Sequence, residues 1–541
     1  MNPETGLDPT AYQIQAPELL ALLPLLILTG GTVLVMLVSA FARRRQNCHR
    51  LVAWLSALTL ALAIGSLPTA ARQAPLAVTP LLLMDSFGLL TMGLIMGAAL
   101  CCCLLGYPYW QQRTIHREEF YLLLLMGALG AVVLSCSQHF VALLLGLETL
   151  GVALFAMIAY STRLESTDGA QRWLQSAAID HSLEAGLKYL VLSGVASALL
   201  LFGIALLYLN SGHLDFGGFT HNLTEATEQT TGGAIIVYAG LGLLLAGIGF
   251  KLSLFPFHLW TPDVYQGAPA PVTTFVATVS KAAIFVVLLR LFAVSNGLSL
   301  SPVADVIAVI AGLSMVAGNW LALMQNNLKR LLAYSSIAHL GYILIAFLTL
   351  QTQNLALALE ASVVYLSAYM ATSLVAFGIV TLLATDLSHS DAAEDQIERC
   401  QLAQYRGLFW QHPLVALALT VALLSLAGIP LTFGFIGKFY LFAAGIEAGL
   451  WWLLAALVIG SGIGLFYYLR VITTLFKGVD SSSTRSPWHV TSAHITATFV
   501  LGLLTLGLIA FGVYPQPVLE PLQALATQLI EPAAQVVISN P

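Results

Sequence analysis

Three lysines stand among hydrocarbon side chains. They are Lys251 in Gly249-Phe250-Lys251-Leu252-Ser253-Leu254-Phe255, Lys281 in Val279-Ser280-Lys281-Ala282-Ala283-Ile284-Phe285, and Lys438 in Phe435-Ile436-Gly437-Lys438-Phe439-Tyr440. Lys188 and Arg470 also fall in apolar runs, and Glu148 is the carboxylate lying deep in one, Leu143-Leu144-Leu145-Gly146-Leu147-Glu148-Thr149-Leu150-Gly151. A charge at the centre of a membrane span costs about 2.5–3.5 kcal/mol on insertion scales, so each needs a reason. Burial disfavours the charged form of lysine and of glutamate alike, which brings proton exchange toward physiological pH. Groups tuned in this way accept and release protons during transport, and a water-bridged chain of them is a proton wire. Plainer readings stand beside this one. Arg470, near the end of its run, reads as a side chain that snorkels to the interface. Glu184 precedes Lys188 by four residues, so an ion pair along one helix accounts for both. Glu148 is either a neutral acid bonded to nearby backbone or a carboxylate kept ionised by a lysine. His258 and His339 are either hydrogen-bonded core residues or proton relays.

Interruptions fall at the same places. Pro256, in Leu254-Phe255-Pro256-Phe257-His258, removes a backbone donor and clashes with the turn before it. Leu426-Ala427-Gly428-Ile429-Pro430-Leu431-Thr432-Phe433-Gly434 interrupts a second helix ahead of Lys438. Backbone groups freed at membrane depth must be buried in protein or line a wet cavity. Lys251 and Lys438 each lie within about two turns of a break. Two interrupted helices five spans apart suggest paired inverted repeats.

The elements that must position these groups are membrane helices. Of 541 residues, 58% are hydrophobic and only 9% charged, against about a quarter charged in soluble domains. Apolar runs able to cross about 30 Å of hydrocarbon recur. They lie near 17–41, 51–69, 82–106, 119–136, 138–160, 184–209, 233–257, 268–294, 302–324, 331–350, 357–385, 412–443, 449–477 and 492–513. That makes an all-α polytopic bundle of about fourteen spans. Connections after odd-numbered spans hold Arg43, Arg44, Arg45, Arg50, Arg113, Arg117, Arg163, Arg172, Lys329, Arg330, Arg399, Arg406, Lys477 and Arg485. Those after even-numbered spans hold Arg72 and, at a helix end, Arg290. The positive-inside rule then puts the odd connections in the cytoplasm and both termini on the periplasmic side. Met1 to Pro9 carries Glu4 and Asp8 without a basic residue, so the first run reads as a retained span. The six cysteines form no C-x-x-C pair and read as apolar fillers, with no metal site.

Phe250-Lys251-Leu252-Ser253 with Pro256-Phe257-His258-Leu259-Trp260-Thr261-Pro262-Asp263-Val264-Tyr265-Gln266-Gly267-Ala268-Pro269 resembles the signature of the antiporter-like membrane subunits of respiratory complex I. Within that family the chain is similar to the N-type subunits of bacterial NADH:quinone oxidoreductase. The Asp263–Pro269 stretch is typical of that branch. Ala277-Thr278-Val279-Ser280-Lys281-Ala282-Ala283 replaces the histidine-containing segment of the other branches. Lys438 stands where the M branch has glutamate. The resemblance implies residue roles: Glu148 as the fifth-span glutamate that modulates a neighbouring lysine, Lys251 as the seventh-span lysine of the input half-channel, and Lys281, with His258 near it, as the eighth-span connecting lysine. Lys438 corresponds to the twelfth-span lysine of the other half-channel. Lys188 matches a sixth-span lysine of the family, which moves it toward the pathway. The connection from Ser161 to Ser182, with Gln171-Arg172-Trp173-Leu174, is longer than the family leads one to expect.

The expectation is therefore a proton-translocating membrane-arm subunit coupled to quinone reduction elsewhere in the complex. Its proton pathway would comprise Glu148, Lys188, Lys251, His258, Lys281, His339 and Lys438. Residues 1–118 would form a three-helix segment, 119–294 and 302–477 two inverted five-helix repeats, and 478–541 a last helix and tail. The chain shows no glycine-rich dinucleotide fingerprint and no cluster motif, so it would carry no cofactor. NADH, FMN, iron-sulfur clusters and quinone would belong to partner subunits. Partners would be other membrane-arm subunits, including a neighbouring antiporter-like one, and lipid, with no nucleic acid, in the bacterial inner membrane. The rivals are a cation/proton antiporter subunit without redox coupling and a scaffold that only seals the membrane arm.

Overall fold

In hydrocarbon an apolar run must bond its backbone to itself, so runs of this length become helices. The computed structural model describes residues 15–42, 48–111, 117–160, 169–218, 231–295, 301–351, 354–384, 400–478 and 495–522. Its principal elements are α1 (Leu23–Ala42), α2 (Cys48–Gly65), the strands β1 (Leu76–Thr79) and β2 (Leu82–Met84), α3 (Ser86–Gln111), α4 (Arg117–Cys136), α5 (Phe140–Ile158) and α6 (Gly169–Ser211). There follow α7 (Thr231–Leu252), α8 (Trp260–Gly267), α9 (Ala270–Phe275), a π-helical turn Val276–Ser280, α10 (Lys281–Ser295), α11 (Ser301–Leu323), α12 (Leu328–Leu348) and α13 (Leu355–Leu383). The last are α14 (Pro413–Ala427), α15 (Phe433–Glu447), α16 (Trp451–Phe476) and α17 (Ile495–Val513). Among the described residues, thirteen helical segments are long and apolar enough to span a membrane, and α14 with α15 makes an interrupted fourteenth.

Backbone contacts between connections agree with the alternation. The β1–β2 hairpin, after the second span, meets the connection after the fourth, where the Gln138 N–H donates to the Leu81 carbonyl at 3.0 Å. The connection after the sixth joins them, the Phe216 N–H donating to the Gln138 carbonyl at 2.9 Å. Connections after the ninth and eleventh spans pair with each other instead, Leu328 N–H to Cys400 carbonyl at 2.7 Å and Leu402 N–H to Asn326 carbonyl at 2.8 Å. Arg406 Nε, donating to the Gly478 carbonyl at 2.9 Å, adds the connection after the thirteenth.

Several boundaries move, each for a local reason. The run at 82–106 begins as strand β2, and its helix starts at Ser86 because the Asp85 carboxylate accepts from the Gly88 N–H at 2.8 Å as a cap. Among the described residues the bundle therefore carries one short hairpin besides its helices. The run at 233–257 stops at Leu252, and 412–443 divides into α14 and α15. Much of the supposed 161–182 connection is helix, continuous from Gly169 into the sixth span. Arg43, Arg44, Arg45, Arg113, Arg163, Arg399, Arg485 and the Met1–Pro9 stretch lie outside the described residues.

The most enclosed spans sit at the centre. The span Ala270–Ala293 is wholly buried, and α12 and α13 are nearly so, whereas α1 is mostly exposed. Lys281 and His339 lie on these central helices, and the outer helices turn side chains such as Phe202 and Val191 outward.

Both broken helices end in the same way. The Ser253 N–H donates to the Phe250 carbonyl and the Leu254 N–H to the Gly249 carbonyl. In the second break the Gly428 N–H donates to the Ser425 carbonyl and the Ile429 N–H to the Leu424 carbonyl. These are the paired 5→2 and 6→1 bonds of a Schellman ending, which needs a left-handed residue. Gly428 supplies it at φ +82°, and Ser253, without glycine's freedom, at φ +63°.

Candidate functional site

A helix end exposes carbonyls that carry the negative end of the helix dipole. Two buried lysines occupy such ends. Lys281 Nζ donates to the Lys251 carbonyl at 3.1 Å and to Ser253 Oγ, and lies 4.8 Å above the Trp260 ring. Thr261 Oγ1 donates to the same Ser253 Oγ at 2.5 Å, so one hydroxyl joins the break to the helix that follows it. Lys438 Nζ donates to the Ala427 carbonyl at 2.8 Å and to Ser461 Oγ at 3.0 Å, with the Tyr342 ring centre 5.3 Å away. Lys251 is buried too, and its Nζ donates to Ser193 Oγ at 2.6 Å. None of the three makes an ion pair among the described residues. Each rests on a serine hydroxyl.

Glu148 fits the same pattern. Its carboxylate accepts from Ser197 Oγ at 2.6 Å, while its side chain stands on an outward face of the bundle. Depth along the helix was readable from the sequence; rotation about the helix axis was not.

Between Lys281 and Lys438 lies a buried polar cluster. His339 Nδ1 is 2.6 Å from the Tyr365 hydroxyl, and Nε2 is 3.4 Å from the Tyr468 hydroxyl, which also bonds Ser335. The Tyr369 hydroxyl donates to the Ala277 carbonyl, in the π-helical turn before Lys281, at 3.1 Å and lies 2.6 Å from Ser336 Oγ. Farther along, Asn319 Nδ2 donates to the Tyr342 hydroxyl at 2.8 Å, and the Tyr467 hydroxyl donates to Asn319 Oδ1 at 3.1 Å. The tyrosines and Asn319 were missed by the sequence reading. Tyr365 and Tyr369, four apart in an apolar run, and the pair Tyr467-Tyr468 were the available signals.

Other candidates lie apart from this row. Lys188 is 43% exposed and bonded to Glu184 at 2.8 Å and Asp263 at 3.0 Å, so the ion pair expected from spacing is present and is extended by Asp263. Arg330 reaches the same Asp263 at 2.7 Å. Burial opposes ionisation of Asp263, but hydrogen bonds from Arg330 and Lys188 outweigh it and hold the carboxyl below its usual range. His258 is buried, its ring stacked on Phe255 at 5.2 Å, and its Nδ1 has no partner among the described residues. The Arg470 guanidinium donates to the Leu323 carbonyl at 3.1 Å and to that of Gln325, at the end of α11. Lys329, counted above with the basic connections, is wholly buried and donates to the Ala268 carbonyl at 2.8 Å. Arg290 is likewise buried, paired with Asp85. Among the described residues no three His, Cys, Asp or Glu side chains gather as a metal site would need, and none of the six cysteines forms a disulfide.

The arrangement has relatives. The family described as NADH:quinone oxidoreductase/Mrp antiporter, transmembrane, matches residues 137–464. The chain is 47% identical over 515 residues to NADH-quinone oxidoreductase subunit N of Ectopseudomonas mendocina, covering 94% of this chain and 97% of the relative. A chain of respiratory complex I from Thermus thermophilus with bound aureothin superposes with a TM-score of 0.72 at 33% identity, over 92% of this chain and 98% of that one. A chain of the membrane-bound sulfane sulfur reductase, an archaeal respiratory membrane complex, gives a TM-score of 0.74 at 24% identity, over 94% and 97%. One of the Mrp complex from Dietzia sp. gives 0.75 at 19%, over 95% and 98%; these last two share the fold alone. With a family match over most of its length and a relative at 47% identity nearly end to end, the chain belongs to the NADH:quinone oxidoreductase/Mrp antiporter family of membrane subunits.

Proposed function

We propose that this chain is a proton-translocating subunit in the membrane arm of an NADH:quinone oxidoreductase in a bacterial inner membrane. Support comes above all from one observation: Lys251, Lys281 and Lys438 are buried ammonium groups with hydroxyl and carbonyl partners and no carboxylate partner among the described residues. A structural ion pair would fix a lysine's charge, whereas neutral acceptors leave it able to lose a proton. Glu148 supplies the nearby carboxylate. His339 with Tyr365 and Tyr468 forms the middle of the pathway between Lys281 and Lys438. Lys188 takes part from the surface, through its switchable partners Glu184 and Asp263, and His258 lines the first break.

Hydride and electron transfer belong to other subunits, which bind NADH, FMN, iron-sulfur clusters and quinone. This chain carries no cofactor in that reading. Its neighbours are other membrane-arm subunits, among them another antiporter-like chain, and lipid. The chain divides as read above, with repeats at 119–294 and 302–477 and both termini periplasmic. Replacing Lys251 with alanine in the assembled complex abolishes or sharply reduces proton pumping, measured as NADH-driven acidification of inverted membrane vesicles. Undiminished pumping would remove the assignment. Co-purification with flavin- and cluster-bearing subunits separates it from a stand-alone cation/proton antiporter.

A further inference from the structure

We propose that Ser193 and Ser197 are positioning residues that hold Lys251 and Glu148 on separate hydroxyls of one helix face. The two charges then work as a separable pair and not as a locked ion pair. The inference deepens the proton-translocation reading and rests on it. Ser193 accepts from Lys251 Nζ at 2.6 Å, and Ser197 donates to Glu148 Oε1 at 2.6 Å. Both sit on α6, four residues apart, so their Cβ atoms share a face at about 5–6 Å. Lys251 already faces the helix that carries Glu148: a Cβ added at Gly151, three residues beyond the glutamate, would lie 3.5 Å from Nζ. Yet among the described residues the two charges make no direct ion pair.

The ordinary use of a membrane-helix serine is to bond its own helix four residues back. Ser56, Ser135 and Ser314 do so, onto Val52, Ala131 and Ile310. Ser197 instead directs its O–H at a carboxylate on α5, and Ser193 offers its oxygen to an ammonium on α7. Tyr189 stands one turn earlier on the same helix, so hydroxyl-bearing residues recur every fourth position along this stripe. The groups facing the stripe are Glu148 from α5, Lys251 from α7, and Trp260, packed on Tyr189 at 5.2 Å, from α8. A hydroxyl is uncharged and both donates and accepts, so it can serve either charge without fixing it. Without the two hydroxyls, Lys251 and Glu148 meet directly, which favours the charged lysine and moves proton release to higher pH.

The test compares Lys251→Ala, the pair Ser193→Ala with Ser197→Ala, and the pair Ser193→Thr with Ser197→Thr in the assembled complex, with complex content checked on native gels. NADH-driven pumping per unit of complex is followed against pH. The alanine pair is expected to pump about tenfold less, with its pH profile moved up by about one unit. The threonine pair, which keeps both hydroxyls, should restore rate and profile. An alanine pair that behaves as the parent while Lys251→Ala fails overturns the positioning role and leaves the pump intact. A threonine pair as impaired as the alanine pair also overturns it, pointing to packing. Normal pumping by Lys251→Ala removes the underlying reading. Should the alanine pair assemble poorly, half-buried Ser197→Ala alone carries the same test at smaller amplitude.

Discussion

The two helix breaks solve one problem with different parts. In each, a helix ends inside the membrane with a Schellman pair of backbone bonds, and a lysine ammonium settles on a carbonyl of the last turn. At the first break the ammonium comes from the next span, Lys281 reaching the Lys251 carbonyl. At the second it comes from the same interrupted span, Lys438 reaching back to Ala427. The left-handed residue is Ser253 in one and Gly428 in the other. Ser253 both turns the chain and bonds Lys281 through its hydroxyl, so backbone and site chemistry share a residue. Gly428 only turns the chain, and it leaves room for the lysine: a Cβ there would come within 2.7 Å of Lys438 Cδ. Beside the first break stands Glu148, beyond Ser193 and Ser197. Each ammonium also faces an aromatic ring, Trp260 at the first break and Tyr342 at the second. On the proposed function, the first break answers to a neighbouring charge and the second holds and passes on a proton.

The largest expected effects come from removing the ammonium groups. Lys281→Ala and Lys438→Ala each leave a buried helix end without its donor, and both should lower pumping by roughly tenfold or more, since a hydrogen bond to a charged group is worth about 1.5–3 kcal/mol. Vesicle acidification checks this, and a large loss in only one would break the parallel between the two ends. Next come substitutions at the left-handed positions. Gly428→Ala should cost about 1–2 kcal/mol of stability from backbone strain and displace Lys438, lowering both Tm and pumping. Ser253→Gly should keep Tm, because glycine suits that backbone, yet lose pumping with the hydroxyl. Equal losses of Tm in the two variants would show that the breaks are not specialised as described.

His339→Phe and Tyr365→Phe probe the stretch between the breaks. Each should slow pumping several-fold at unchanged complex content, because His339 bonds Tyr365 at 2.6 Å in the path toward Lys438. The smallest effect belongs to Asp263, on the exposed side of the first break. Its carboxyl titrates below the usual range, so its stabilisation is present above about pH 3.9, the unfolded value, and is lost as pH falls through its lowered folded value. Exposed pairs of this kind contribute about 0.2–1 kcal/mol. Asp263→Asn should accordingly lower Tm slightly at neutral pH, with the difference vanishing in acid, as followed by thermal unfolding across pH.

Much of this was legible in the chain. The count of spans followed from apolar length and from the alternating basic connections, and the hairpin contacts of Gln138 and the pairing of Leu328 with Cys400 agree with it. Pro256 and Gly428-Ile429-Pro430 marked the breaks because both residue types deny a helix its continuation. Arg470, Lys329 and Arg290 find partners far away in the chain. Their side chains fold inward onto carbonyls or onto Asp85, and nothing within a few residues of them in the chain signals such distant acceptors. The bond between Ser335 and Tyr468 spans 133 positions and had no local trace.

The solvent of this protein, the approximate number of its spans, the two breaks at Pro256 and Gly428, and the charges standing in hydrocarbon can all be read along the chain. Those properties depend on length, composition and local backbone chemistry. What each charge touches is a matter of packing: Ser193 for Lys251, Ser253 for Lys281, Ser461 for Lys438 and Ser197 for Glu148. A helix that is apolar on all sides carries no stripe to say which face turns inward. Its rotation about its own axis, and hence every contact between helices, is set by packing against its neighbours.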